Sequence, residues 1–158
     1  GSDLLQYILF IIILVGIDQG TKIYMKSLTH GVEAYSIPVI KDFFHLTYVE
    51  NRGGIFGVMK LKIMIFTIVS TLVIAYLVYS EWKNIKNYTK YTKIGITFIA
   101  SGAIGNMTDR IFRGYVIDML DFRGIWHFIF NFADVFINIG VGIILLDIIV
   151  KKLKSRRE

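Results

Sequence analysis

Long apolar runs, several of them interrupted near one end by carboxylates and amides, constrain this chain more than any other feature. A helix that crosses a bilayer needs about 20 predominantly apolar residues, and four stretches qualify. The first runs from Leu4 to about Met25 and turns polar at Asp18, Gln19, Thr21 and Lys22. The second, about Leu61 to Trp82, has no charge between Ile63 and Tyr79. The third, about Ile94 to Phe112, carries Asn106, Asp109 and Arg110 near its end, and the fourth, about Phe130 to Val150, carries Asn131, Asp134, Asn138 and Asp147. With 54% hydrophobic residues and a mean hydropathy of +0.58 gathered into such runs, a soluble core is the weaker reading.

The net charge of +6 is concentrated beside these runs. Lys83, Lys86, Lys90 and Lys93 lie between the second and third, and Lys151, Lys152, Lys154, Arg156 and Arg157 follow the fourth. Lys and Arg flanking apolar spans mark the cytoplasmic side. Two intervening helices put both clusters there, with both termini, whereas three spans would separate them. The segments 27–60 and 113–129 then face outward. This distribution speaks for topology rather than nucleic-acid binding. The first run leads into charged helix without a small-residue cleavage site, so it is not expected to be a removable signal peptide. In the outward segment of about 30–58, Phe43 to Val49 is β-branched and aromatic and is followed by Gly53-Gly54. It predicts a hairpin or small sheet, to which Tyr115-Val116-Ile117 adds a strand. The expected fold is therefore a single domain over 1–158, an all-α membrane protein of four helices with a small extracytoplasmic β element.

Charged side chains inside a membrane usually face a cavity or a partner. Here three helices bring carboxylates towards one membrane face. Asp18 and Lys22 are spaced i,i+4 and predict an ion pair, and Asp109 beside Arg110 reads in the same way. Gly102, Gly105, Asn106 and Asp109 share a side of the third helix, and Asn131, Asp134, Asn138 and Gly142 form a stripe on the fourth. Asp134 has no basic residue a turn away, so Asp118 or Asp121 is expected as its partner. Two carboxyls sharing a site hold one proton between them near neutral pH. Such a pair both activates a water and protonates a departing amine. Asp147 lies far along the same helix, with Lys151 one turn on to pair with it.

Other chemistries lack their residues. With no cysteine there is no disulfide, thiolate zinc site or cysteine nucleophile, nor a lipid-attachment cysteine. His30, His45 and His127 are scattered outside any H-E-x-x-H helix, so no metal site is expected. Neither G-x-S-x-G nor S-x-x-K is present, and no nucleotide fingerprint occurs.

Five blocks in order resemble lipoprotein signal peptidases, the signal peptidase II family. They are Asp18-Gln19-Gly20-Thr21-Lys22; Asn51-Arg52-Gly53-Gly54-Ile55-Phe56-Gly57; Gly105-Asn106-Met107-Thr108-Asp109-Arg110; Val116-Ile117-Asp118-Met119-Leu120-Asp121-Phe122; and Phe130-Asn131-Phe132-Ala133-Asp134. The second block departs from the family pattern, with Gly54 and Ile55 in place of two alanines. The resemblance implies that Asp118 and Asp134 are the catalytic pair. It implies that Asn51, Gly53, Asn106, Arg110 and Asn131 surround the site and that Asp18, Lys22 and Asp109 support it. It further implies a monomer in the bacterial cytoplasmic membrane, with its active site near the extracytoplasmic face. The implied substrate is a prolipoprotein bearing a diacylglyceryl group, cut just before the lipidated cysteine in contact with membrane lipid, without metal or organic cofactor. Globomycin-type inhibitors of the family are expected to bind. Among rivals, a small ion- or proton-coupled transporter would need a polar pathway to both faces. The prepilin-peptidase and presenilin type would need a G-x-G-D block, and a scaffold would need no carboxylate pair.

Overall fold

The computed structural model describes residues 2–52, 79–80, 83, 87–125 and 128–158. The expected second span of about Leu61 to Trp82, and Gly53, lie outside or almost wholly outside the described residues. Helix α1 covers Ser2–Leu28, α2 covers Lys90–Thr108 and α3 covers Phe132–Arg157. Three strands, β1 (Ser36–Ile40), β2 (Phe44–Asn51) and β3 (Val116–Phe122), complete the fold.

Two of the helices, over Asp3–Leu28 and Phe132–Arg157, are long and apolar enough to cross a membrane. At about 1.5 Å per residue each exceeds a bilayer's ~30 Å hydrocarbon thickness. Their outer surfaces expose Leu5, Ile12, Ile13, Leu146 and Ile149, an apolar surface suited to lipid rather than water. Helix α3 continues to Arg157, so the basic tail is helical. The expected third span divides: α2 stops at Thr108, and a π-helical turn takes Asp109–Arg113. That turn closes at Gly114, whose left-handed φ of 80° suits glycine and whose N–H donates to Asp109 O.

Helices α2 and α3 approach backbone to backbone. A Cβ on Gly95 would lie 2.9 Å from Gly140 O, and one on Gly140 would overlap Gly95 O. The buried face of α3 is therefore Ala133, Phe136 and Gly140, whereas Asn138 is exposed and Gly142 faces open space. The expected polar stripe on this helix is not its packing face. Asn131 precedes the helix as its N-cap, and Asn138 donates back to Asp134 O at 2.8 Å.

The sheet is antiparallel in the order β1-β2-β3. The small sheet expected at Phe43 to Val49 is present, with β1 ahead of that stretch as its hairpin partner, and Tyr115-Val116-Ile117 opens into a full third strand. One face buries Tyr48, Tyr115, Ile117, Met119 and Leu120 with Met25 of α1. Phe44, Phe122 and Phe130 stack along it, with centroids 4.6 and 5.9 Å apart. Apolar burial at about 25 cal/mol per Å² is what holds the sheet against the helix ends. Pro38 lies on edge strand β1, where its missing N–H costs no central ladder bond.

Candidate active site

At the sheet-side end of the helices, ten side chains join in one polar network. Lys22 and Asp18 are fully buried and paired at 2.8 Å, as their spacing predicts. Lys22 also reaches Asp109 at 3.1 Å and donates to Asn106 Oδ1 at 3.2 Å. Asp18 uses its second oxygen to accept from the Ala133 N–H at 3.0 Å, which ties α1 to the start of α3. Its first oxygen lies against Gly105, where any Cβ would overlap it. No other residue fits that position, because the carboxylate occupies the space of a side chain.

Asp109 does not pair with Arg110. Adjacent helical residues point to different faces, and Arg113, at i,i+4, meets Asp109 Oδ1 at 2.6 Å. Arg110 forms no ion pair among the described residues. Gln19 donates to Asp109 at 3.0 Å and accepts from Arg113 at 2.9 Å, and the Ile117 N–H donates to Asp109 Oδ2 at 3.0 Å. Asp109 thus fixes α1, the π-turn and β3 against one another. Arg113 and Gln19 were not singled out from the sequence. The sign of Gln19 is its place beside Asp18, and that of Arg113 is its i,i+4 spacing from Asp109.

Asp118 and Asp134 come to the network from β3 and from the first turn of α3. Asn131 caps α3: its Oδ1 accepts from the Asp134 N–H at 2.9 Å while Asp134 Oδ2 accepts from the Asn131 N–H at 3.2 Å. The Asn131 amide also donates to Asp118 Oδ1 at 2.9 Å, so a helix cap holds both carboxyls at once. Asn106 donates to Asp134 Oδ1 at 3.0 Å and accepts from Asn131 at 3.0 Å. Asn51, at the end of β2, donates to Asp118 Oδ2 at 3.3 Å.

Burial first, and then the negative charge of Asp134, push the Asp118 carboxyl up to about 7 against the opposing hydrogen bonds from Asn51 and Asn131 and the Lys22 charge. Asp134 accepts two N–H donors at the N-terminus of α3. With Asp118 raised to about 7 beside a second carboxyl, the pair suits concerted acid and base work near neutral pH.

Asp121 lies elsewhere. Three residues along the strand from Asp118, it accepts from Thr47 at 2.7 Å and pairs with Arg123 at 3.2 Å. Asp147 is also separate, bound by Thr89 at 2.7 Å, Thr92 at 2.8 Å and, as its spacing predicts, Lys151 at 3.5 Å. Of the expected site residues, Asp18, Lys22, Asn51, Asn106, Asp109, Asn131, Asp118 and Asp134 come together.

The family model for signal peptidase (SPase) II matches residues 10–150, which include all of this network. The chain belongs to the signal peptidase II family. A lipoprotein signal peptidase of Fusobacterium nucleatum is 48% identical over 99% of this chain and 93% of its own length. One from Clostridioides difficile is 42% identical over 95% and 99%. Two solved bacterial membrane enzymes share the fold, with TM-scores of 0.77 and 0.72 at 30% and 31% identity, over 97% and 90% of this chain and 92% of each of theirs. Membership makes this chain a membrane-located peptidase, helical with a small three-stranded sheet.

Proposed function

We propose that this signal peptidase II family member is an aspartic endopeptidase that removes signal peptides from diacylglyceryl-modified prolipoproteins, cutting the bond just before the lipidated cysteine. The observation that carries the reading is the placement of Asp118 and Asp134, two carboxyls held by one helix cap. The relatives' printed name, lipoprotein signal peptidase, supports the substrate class.

Asp134 takes a proton from a water as the water oxygen bonds to the scissile carbonyl carbon, and Asp118 gives its proton to the carbonyl oxygen. The resulting diol collapses as the C–N bond breaks. Asp134 passes its proton to the departing amine, and a diol hydroxyl returns one to Asp118, restoring the starting state. No metal or organic cofactor enters this scheme. Asn51, Gly53 and Arg110 are proposed to receive the substrate backbone.

The enzyme is proposed to be a single four-span domain over 1–158 of the bacterial cytoplasmic membrane. It works as a monomer with both termini in the cytoplasm and the active site towards the extracytoplasmic face, where globomycin-type inhibitors compete with substrate. The two basic clusters flanking apolar runs support that orientation.

Single-turnover cleavage of a diacylglyceryl-modified peptide, beside its unlipidated twin, tests the reading. Asp118→Asn and Asp134→Asn each lower cleavage by ~10²–10⁴-fold or more, and the double variant loses little beyond either single one. Asp121→Asn retains most activity. Normal cleavage by every variant, or none by the unaltered enzyme, sinks the proposal.

A further inference from the structure

Lys22 is the buried cation of the network, and its third bond has a directional consequence. An ammonium only donates, so the carbonyl end of Asn106 must face Lys22 at 3.2 Å. Asn131 donates to that same oxygen at 3.0 Å. The NH2 end of Asn106 is thereby turned onto Asp134 Oδ1 at 3.0 Å, where it too only donates. The other oxygen of Asp134 meets the Asn131 N–H at 3.2 Å. Protonating Asp134 would weaken both of these charge-assisted bonds. Asp118 is held less closely at one oxygen: among the described residues Oδ1 accepts from Asn131 at 2.9 Å and Oδ2 from Asn51 at 3.3 Å.

We propose that Lys22 decides which member of the pair holds the proton: by gripping the carbonyl of Asn106 it turns the amide N–H onto Asp134, keeps Asp134 the anion and leaves the proton on Asp118. Lys22 is then a positioning residue acting through Asn106, beyond its ion pair with Asp18. This rests on the reading of Asp118 and Asp134 as the catalytic pair. The charged groups around the relay are Asp18 and Lys22 from α1, Asp109 and Arg113 from the π-turn, Asp118 from β3 and Asp134 from α3. The through-space charge of Lys22 favours ionisation of both carboxyls, whereas the amide orientation acts on Asp134 alone. The two effects are therefore separable.

The test is run in an Asp18→Asn background, so that of the ammonium's two carboxylate partners Asp109 alone remains, and Asp109 keeps Arg113. Lys22→Met removes both charge and donor; Lys22→Gln removes the charge but keeps an N–H for the Asn106 carbonyl. With Lys22→Met, Asn106 Oδ1 is left with the Asn131 donor, so turning that oxygen onto Asp134, which then retains its proton to higher pH, costs one hydrogen bond less. The acidic limb of the single-turnover profile on the diacylglyceryl peptide moves up by about one to two pH units, as expected for exchanging one charge-assisted bond. Lys22→Gln brings it most of the way back, with KM the same in both. A second measurement needs no cleavage. With Asp118→Asn added, infrared titration of purified protein follows the Asp134 carboxyl, whose midpoint rises in the Met variant and not in the Gln variant. Equal midpoints in the two variants, whether both shifted or both unmoved, overturn the relay. If the unaltered enzyme cuts no lipidated peptide, the peptidase reading fails, and the infrared midpoints still decide the relay.

Discussion

Replacing Gly105 by alanine adds one methyl group at the point where α1 and α2 touch through a carboxylate. The new Cβ would overlap Asp18 Oδ2 and lie 2.9 Å from its Cγ. Ordinary carbon contacts are ~3.5–4.0 Å, so the carboxyl has to withdraw by about 1 Å. It has nowhere to go without loss, because Lys22 holds it at 2.8 Å and the Ala133 N–H at 3.0 Å. Overpacking costs ~1–3 kcal/mol, and breaking a buried ion pair ~3–5 kcal/mol, so the change should cost about 2–5 kcal/mol. Thermal and denaturant unfolding in detergent measures this, with Gly20→Ala as control. A Cβ at Gly20 meets nothing within 4 Å, and alanine there is neutral or stabilising by up to ~1 kcal/mol. The penalty at Gly105 should also shrink when Asp18→Ser and Lys22→Met have emptied the contact, a coupling seen only between touching residues. Equal stability of the Gly105 and Gly20 variants, or an undiminished penalty in the emptied background, refutes the steric argument.

Asp118, raised from the ordinary 3.8 to about 7, holds its proton in the folded state where the unfolded chain has lost it. Stability should therefore fall as pH rises from about 4 to about 7, and Asp118→Asn should flatten that slope in denaturant titrations. Cleavage should fall as pH rises through about 7, where Asp118 loses the proton it gives to the carbonyl. Arg113→Gln should lower unfolding stability by about 1–3 kcal/mol by taking the guanidinium from the buried Asp109 Oδ1, while Arg110→Gln changes stability by less than about 0.5 kcal/mol and raises KM. Cysteine tags at Lys86 and after Arg157 should label only from the cytoplasm and a tag at His45 only from outside; the reverse pattern overturns the four-span topology.

Side chains that meet by helical spacing were legible in the sequence, and those that meet through caps and strand placement were not. Asp18 with Lys22 and Asp147 with Lys151 follow from the i,i+4 rule alone. Adjacency suggested Asp109 with Arg110, but the i,i+4 rule holds there too and pairs Asp109 with Arg113. Asn131 read as part of a helix stripe, yet its short amide stops the chain short of helix and caps α3 instead. Residue types could not choose between Asp118 and Asp121; the family resemblance named Asp118, and Asp121 lies on Thr47 and Arg123. β1 was hidden by Pro38, which reads as a breaker but is tolerated on an edge. The ends of α1 and α3 were placed too early because the charged residues past the apolar runs remain helical.

The glycine seam between α2 and α3 sets a mechanical tolerance. Where side chains separate two helices, rotamer changes let the gap breathe. Here carbonyls meet the neighbouring backbone at Gly95 and Gly140, and Thr89 and Thr92 clamp Asp147 beyond them. The spacing of Asn106 on one helix from Asn131 and Asp134 on the other is then gauged by main-chain thickness. A bilayer that thickens or thins would tilt such a pair as one rigid strut instead of shearing it. Changes in lipid would thus reach the enclosed carboxyls as reorientation of the whole constellation, with its internal distances intact.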